Sequence, residues 1–356
     1  MTISLCMIVK NEEKTIERCL VSITNLIDEI IIVDTGSTDR TKEICAKYTN
    51  LIYDFNWTDN FSEARNFSYE KASMEYILWL DADDIILPED NQKIVELKNS
   101  LDTSVSAVMF RYNVRFDHNG TVLFSYFRER LSKRECNFKW IEPVHEYLQI
   151  SGNVITEDIC ITHGKLKSTP NNRNLIIYED VLKKGDLLSP RGIYYYAREL
   201  KDHNKYTESI VQFEDFLATG QGWCEDNINA CSELAKCYHK INNDSKELET
   251  LFRSFHFGIP RAELCCQIGY YYMDKKEYRS AIFWFKTILL LEKPKNNWGF
   301  IQHDCWDYIP LLECAVCYDR LMEYQLAAAY NDQALLIKPE SETALKNKQY
   351  FISKIN

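Results

Sequence analysis

A change of hydrophobic period part-way along the chain restricts its possible folds more than any other feature. Up to about residue 165, short apolar runs (Ile3 to Val9, Ile30 to Val33, Leu51 to Phe55, Tyr76 to Leu80, Ala107 to Val114) alternate with helical patterns. Ile16, Cys19, Leu20 and Ile23 make one helical face. Thr38-Asp39 caps a second helix running through Tyr48, and Pro88 opens another that ends near Leu101. Strand and helix in alternation imply a mostly parallel sheet covered on both faces, with ligands held at the carboxyl ends of the strands. After about Ser189 the strand runs fade and amphipathic helices alone remain. A chain of 356 residues, 46% of them hydrophobic, is long enough for two cores. Ser168-Thr169-Pro170-Asn171-Asn172 breaks the pattern between them. The expected organisation is an α/β domain over 1–167, a linker over 168–188 and an all-α domain over 189–356.

The second half has a fixed period. Tyr278-x-x-Ala281, with Gly269 and Tyr272 upstream, resembles the tetratricopeptide helix pair of about 34 residues, as does Tyr324-x-x-Ala327 with Ala315, Tyr318, Ala334 and Pro339 around it. Tyr206-x-x-Ser209 with Ala197 and Phe213 is a weaker copy, and Ala235 with Tyr238 a degenerate one. Stacked helix pairs leave a long concave surface suited to extended peptides. An insertion from Lys293 to His303 interrupts the period, and its Trp298 and Phe300 are expected to line that surface as acceptor-binding residues. The Cys314-Ala315-Val316-Cys317 spacing falls inside a repeat and reads as core packing, as does Cys265-Cys266.

The polar residues that follow the strands are the candidates for chemistry. The run Tyr76 to Leu80 ends in Asp81-Ala82-Asp83-Asp84, and carboxylates at a buried strand's end need a cation or donors to offset them. One intervening residue lets Asp81 and Asp83 point the same way, one toward a nucleotide and the other toward a divalent metal that also binds a diphosphate and neutralises its departing charge. The rival reading is a plain helix N-cap cluster. The first strand ends in Val9-Lys10-Asn11-Glu12-Glu13 and the next in Val33-Asp34-Thr35-Gly36-Ser37-Thr38-Asp39. A carboxylate directly after a strand, followed by Gly where the chain turns tightly, fits nucleotide recognition by Asp34.

These segments, with Trp57-x-Asp59-x-Phe61-x-x-Ala64-Arg65-Asn66, stand in the order found in family-2 inverting glycosyltransferases of the Rossmann-like GT-A fold, which the chain resembles over about residues 2 to 165. The subgroup with C-terminal tetratricopeptide repeats, which includes peptide S-glycosyltransferases, extends the resemblance over nearly the whole chain. The resemblance places Val9, Asn11, Glu13, Asp34, Arg65, Asp81 and Ala82 around a nucleotide sugar. It places Asp83 on the metal, Mn2+ or Mg2+, with His163 of Ile161-Thr162-His163-Gly164 completing that site. Imidazole beside carboxylate suits Mn2+ better. Trp140-Ile141-Glu142-Pro143-Val144-His145-Glu146 resembles the segment that supplies the acceptor side. Inversion needs a base to deprotonate the acceptor, Glu146 first and Glu142 second, with His145 positioning sugar or diphosphate and Trp140 walling a sugar face. Pro143 departs from members that place Gly nearby.

A net charge of -11 excludes non-specific binding to nucleic acid, which depends on neutralising phosphates. No apolar run approaches the roughly 18 residues of a membrane span. The thirteen cysteines lack disulfide-framework spacing, and the N-terminus lacks a basic leader. The expectation is a cytoplasmic enzyme that moves a sugar from a UDP-sugar to a peptide or protein side chain, with possible homodimerisation through the helical domain. Two rivals remain: transfer to a cell-surface glycan or lipid-linked acceptor, and a non-catalytic repeat adaptor.

Overall fold

The computed structural model describes residues 1–164, 172–294 and 298–355. The chain divides into two compact units, Met1–Leu187 and Leu188–Asn356.

In the first unit the strands are β1 (Ile3–Val9), β2 (Glu29–Asp34), β3 (Ile52–Asp54), β4 (Tyr76–Trp79), β5 (Asp84–Ile85), β6 (Ala107–Phe116), β7 (Val122–Lys133), β8 (Trp140–Ile141), β9 (Tyr147–Leu148) and β10 (Val154–His163). The helices are α1 (Ile16–Ile23), α2 (Thr41–Cys45), α3 (Phe61–Lys71), α4 (Pro88–Ser100) and α5 (Arg173–Lys183). The main sheet runs β3-β2-β1-β4-β7-β6-β10-β5, and β8 pairs with β9 separately. From β3 to β4 all pairings are parallel, and β10 joins β6 in parallel, while β7 runs antiparallel to both its neighbours and β5 antiparallel to β10. This is the mostly parallel, Rossmann-like sheet expected of a GT-A domain.

β1 is apolar almost throughout because both of its faces are covered. Leu5, Met7 and Val9 pack with Ile16, Cys19, Leu20 and Ile23 of α1 on one side. Cys6 packs with Ile31, Val33, Ile77 and, from α3, Phe67 on the other. The second helix is shorter than its pattern suggested. Asp39 Oδ1 accepts the Thr41 amide at 3.0 Å, and α2 ends at Cys45. Helix α5 occupies most of the stretch expected as linker, with Leu175, Ile177 and Tyr178 buried and the Tyr178 hydroxyl donating to Val144 O at 3.3 Å. Ser168, Thr169, Pro170 and Asn171 of that stretch lie outside the described residues.

The second unit is a run of helix pairs: α6 (Pro190–Asp202) with α7 (Tyr206–Thr219), α8 (Cys224–Lys240) with α9 (Asp244–Arg253), α10 (Ala262–Asp274) with α11 (Tyr278–Ile288), and α12 (Tyr308–Arg320) with α13 (Tyr324–Ile337), followed by α14 (Glu342–Ile355). The residues that suggested the repeat lie at the contacts. Ala197, Ala235, Ala281, Ala315 and Ala327 are buried, and a Cβ on Gly269 would fall 2.6 Å from the Phe285 ring. Within every pair, the residue two positions before the second helix is left-handed: Asn204, Asn242, Lys276 and Met322, with φ between 57° and 61°. The degenerate second copy therefore keeps the backbone turn of the others. Cys265, Cys266, Cys314 and Cys317 are buried packing residues. No described helix is long and apolar enough to cross a membrane.

Candidate active site

The carboxyl ends of β1, β2 and β4 and the facing end of β10 carry the polar residues. At the end of β2, Asp34 is 2% exposed. Its Oδ1 accepts the amides of Gly36 at 2.9 Å and Ser37 at 2.8 Å, a turn that the Gly36 φ of +102° permits. Asp34 Oδ2 is buried with no partner among the described residues. A buried carboxylate oxygen left without a donor is costly, and a ligand that donates there would remove the cost. Val9, Asn11 and Glu13 shape the neighbouring loop. The Val9 carbonyl accepts the Thr35 amide at 2.9 Å and Asn11 Oδ1 the Thr38 amide at 2.8 Å. Glu13 Oε2 accepts the Arg40 amide at 3.3 Å.

Arg65 on α3 is 6% exposed and gathers the next group. Its Nη2 donates to Asp81 Oδ1 at 2.7 Å and its Nε to Glu146 Oε1 at 2.6 Å. Its guanidinium lies 4.6 Å from the Trp79 ring centroid and 4.8 Å from that of Trp140. Burial opposes the Arg65 charge, but Asp81 and Glu146 sustain it and hold its pKa above the ordinary value. Burial would likewise raise the Asp81 carboxyl, but Arg65, with Arg130 behind it, draws it down to about 2. Asn66, next in the chain, fixes the strand below: its Oδ1 accepts the Trp140 amide at 2.9 Å and its Nδ2 donates to the Trp140 carbonyl at 3.0 Å.

Trp140 departs from expectation. It is 2% exposed and meets Trp79 edge-on at 5.0 Å, so its indole supports the Arg65 guanidinium from below and is not a free wall for a sugar. In the loop that follows, Glu142 and His145 both adopt left-handed backbone, with φ of 78° and 54°. These are conformations that non-glycine residues hold only when their surroundings impose them. Here the Glu142 carbonyl takes the Ser62 hydroxyl, and the Pro143 carbonyl takes the Phe61 amide at 2.8 Å at the start of α3.

After β4, Ala82 is 5% exposed and the three carboxylates diverge. Asp84 is entirely buried: its Oδ2 accepts Arg130 Nη1 at 2.9 Å and the Asp81 amide at 3.0 Å, and its Oδ1 accepts the Tyr112 hydroxyl at 2.8 Å. Asp83 remains accessible, with His163 Nδ1 3.6 Å from its Oδ1. Partial burial raises the Asp83 pKa, and Asp81 and Asp84 add to that against the opposing influence of His163. Among the described residues, Asp83, Asp84 and His163 form the group spaced to hold a metal ion. Because the Asp84 oxygens are already engaged, the fit reduces to Asp83 and His163, a carboxylate beside an imidazole.

The structure thus brings Asp34, Arg65, Asp81, Asp83, Glu146 and His163 to the strand ends of one unit. Trp298 and Phe300 belong to the other unit, where the Arg198 guanidinium lies 5.2 Å from the Phe300 ring centroid. Sequence reasoning missed Tyr112, Arg128 and Arg130. Arg128 and Arg130 flank Trp79 at 4.8 and 3.8 Å, and their alternate spacing on β7 was the available signal.

The pattern that defines Glycosyl transferase family 2 matches residues 4–150. A TPR repeat-containing protein of Synechococcus elongatus is 35% identical over 149 residues, 42% of this chain and 36% of the relative. The SPbeta prophage-derived glycosyltransferase SunS of Bacillus subtilis is 29% identical over 222 residues, 59% of this chain and 51% of the relative. The minor teichoic acid biosynthesis protein GgaB of Bacillus subtilis is 25% identical over 209 residues, 56% of this chain and 22% of the relative. The chain therefore spans about a third to a half of the length of the first two.

Proposed function

We propose, from the premise that residues 4–150 form a Glycosyl transferase family 2 domain, that the protein transfers a sugar from a UDP-sugar to a peptide or protein side chain with inversion and with the help of a divalent cation. One arrangement carries the reading: an unpartnered buried oxygen on Asp34 and an Asp83 and His163 pair spaced to hold a metal ion stand at the ends of strands of one sheet. The first suits a donor N–H or O–H of the nucleotide, and the second a cation. When bound, Mn2+ on Asp83 and His163 would neutralise charge on a departing diphosphate. Arg65 holds Asp81 in place beneath the donor, and Trp79 and Trp140 exclude water from the guanidinium. The acceptor's proton goes to a carboxylate of the 142–146 loop. Glu146 is the first choice and Glu142 the second, and Glu146 accepts it only as its bond to Arg65 loosens. The helical unit, with Trp298 and Phe300, supplies remote binding energy for an extended acceptor.

The relative named for teichoic acid biosynthesis supports the competing reading, a glycan acceptor. UDP release across a panel of UDP-sugars with Mn2+, and again with a chelator, tests donor and metal. Mass spectrometry of cellular proteins after incubation with enzyme and donor then tests the acceptor. Turnover indifferent to chelation would remove the metal, and sugar appearing only on glycan would remove the peptide.

A further inference from the structure

We infer that Tyr112, on β6, is the positioning residue that fixes the tautomer of His163, so that Nδ1 carries the ring proton and Nε2 is the nitrogen left to bind a ligand. The Tyr112 side chain is buried, 6% exposed, and its hydroxyl stands between two groups. Asp84 Oδ1 is 2.8 Å away on one side and His163 Nδ1 2.7 Å on the other. A hydroxyl has one proton to donate. Asp84 claims it, because its other oxygen is already saturated by Arg130 and the Asp81 amide, and Oδ1 is buried with Tyr112 as its donor. With that proton committed, the Tyr112 oxygen offers His163 only lone pairs, and a contact of 2.7 Å then requires a proton on Nδ1.

Neighbouring side chains pack against the Tyr112 ring. Arg130 lies 4.5 Å from the Tyr112 ring centroid, Tyr126 meets that ring edge-on at 5.6 Å, and the His163 ring does so at 5.7 Å. His163 is tied by its backbone as well, because β10 pairs with β5 through His163 and Asp84. The third carboxylate of Asp81-Ala82-Asp83-Asp84 therefore acts through another residue. It orders a hydroxyl, which orders an imidazole, in the manner of outer-shell partners that set ligand orientation at metal centres.

The tautomer is a property of the chain alone, whereas the use of the Nε2 lone pair as a metal ligand rests on the transferase reading above. Long-range 1H–15N correlation spectra of the 356-residue chain at alkaline pH report which ring nitrogen is protonated. Among the seven histidines, His163 is assigned by comparison with His163→Gln. The expected result is a protonated Nδ1. A protonated Nε2 overturns the inference whatever the enzyme does. In Tyr112→Phe the two tautomers should mix, and Mn2+ affinity measured by electron paramagnetic resonance should fall about tenfold, while metal-free UDP affinity stays the same. A Tyr112→Phe spectrum identical to wild type would also overturn it. If that variant fails to fold, as its melting curve would show, the wild-type spectrum still decides. A protonated Nδ1 in a wild-type protein that binds no Mn2+ would sustain the role of Tyr112 and remove the metal from the proposed function.

Discussion

Asp34 and Glu146 allow the sharpest tests at the level of single residues. Asp34 uses one oxygen to close its own turn and leaves the other buried and open. Asp34→Asn keeps an acceptor for the turn but places an N–H where the ligand's donor would come. UDP affinity by calorimetry should fall at least about tenfold with the melting temperature little changed, and an unaltered affinity would remove Asp34 from the nucleotide site. Glu146 carries two possible duties, because the carboxylate proposed to take the acceptor's proton is also the anchor of Arg65. If it is the base, Glu146→Gln lowers kcat for transfer by roughly two to four orders of magnitude with a small change in donor KM. If it only anchors Arg65, the loss appears in donor KM, and Glu142→Gln does the greater damage to kcat. The sequence made Asp34, Arg65, Asp81 and Asp83 legible because each follows a strand or stands in a recognisable motif. It did not reveal that Trp140 would be spent under a guanidinium, or that Tyr112 and Arg130 would reach the same carboxylate. Those contacts join β8 to α3, and β6 and β7 to β5, and no local pattern encodes them.

Legibility at the scale of elements followed periodicity. β1, β2, β4 and the first part of β6 announced themselves as apolar runs, since both faces of a central strand are buried. β7 and most of β10 did not, because they mix charge with apolar residues: Glu129 and Arg130 are buried inside β7 as charged groups, not as hydrophobes. In the repeats, small residues marked the helix contacts, whereas the left-handed turn at Asn204, Asn242, Lys276 and Met322 has no uniform residue to betray it. That turn offers a test of strain. Met322 is 74% exposed, so Met322→Gly removes little packing and relieves a φ of 61°. The gain should be about 0.5–1 kcal/mol, after the greater chain entropy of glycine is subtracted, and calorimetry should show a rise of a few degrees. A second test concerns charge. Burial would raise the Glu233 carboxyl, but Lys236 and Lys201 pull it down to about 2 from an ordinary 4.5. A depressed folded pKa gives stability that is present above the unfolded value and lost as pH falls through the folded one. Glu233→Gln should therefore cost on the order of 2–3 kcal/mol at neutral pH. The cost should shrink between about pH 4.5 and 2 in urea titrations, and a pH-independent difference would show that the ion pairs are not its source.

At the scale of the whole molecule, the two compact units put separate duties within reach of one truncation. The first runs to Leu187 and includes α5, so a fragment of residues 1–187 keeps Tyr178 on Val144, where a cut near residue 167 would remove it. That fragment should bind UDP and Mn2+ and hydrolyse donor slowly while transfer to protein collapses, because the remote contacts that orient an acceptor are gone. Its solubility must be verified first, so that a loss of activity is not confused with aggregation. Equal loss of hydrolysis and transfer would mean that the helix pairs only stabilise the enzyme.

The pairing of Asp83 with His163 also sets an order in time. The two are separated by the full course of β5, α4, β6, β7, β8, β9 and β10, and the sheet reaches His163 only through β10. As the polypeptide leaves the ribosome, the strands that present Asp34 and Asp81 are available long before the imidazole, so the proposed nucleotide end of the site can take shape while the proposed cation end is still incomplete. The proposed cation site is thus completed only when nearly all of the first unit has been made.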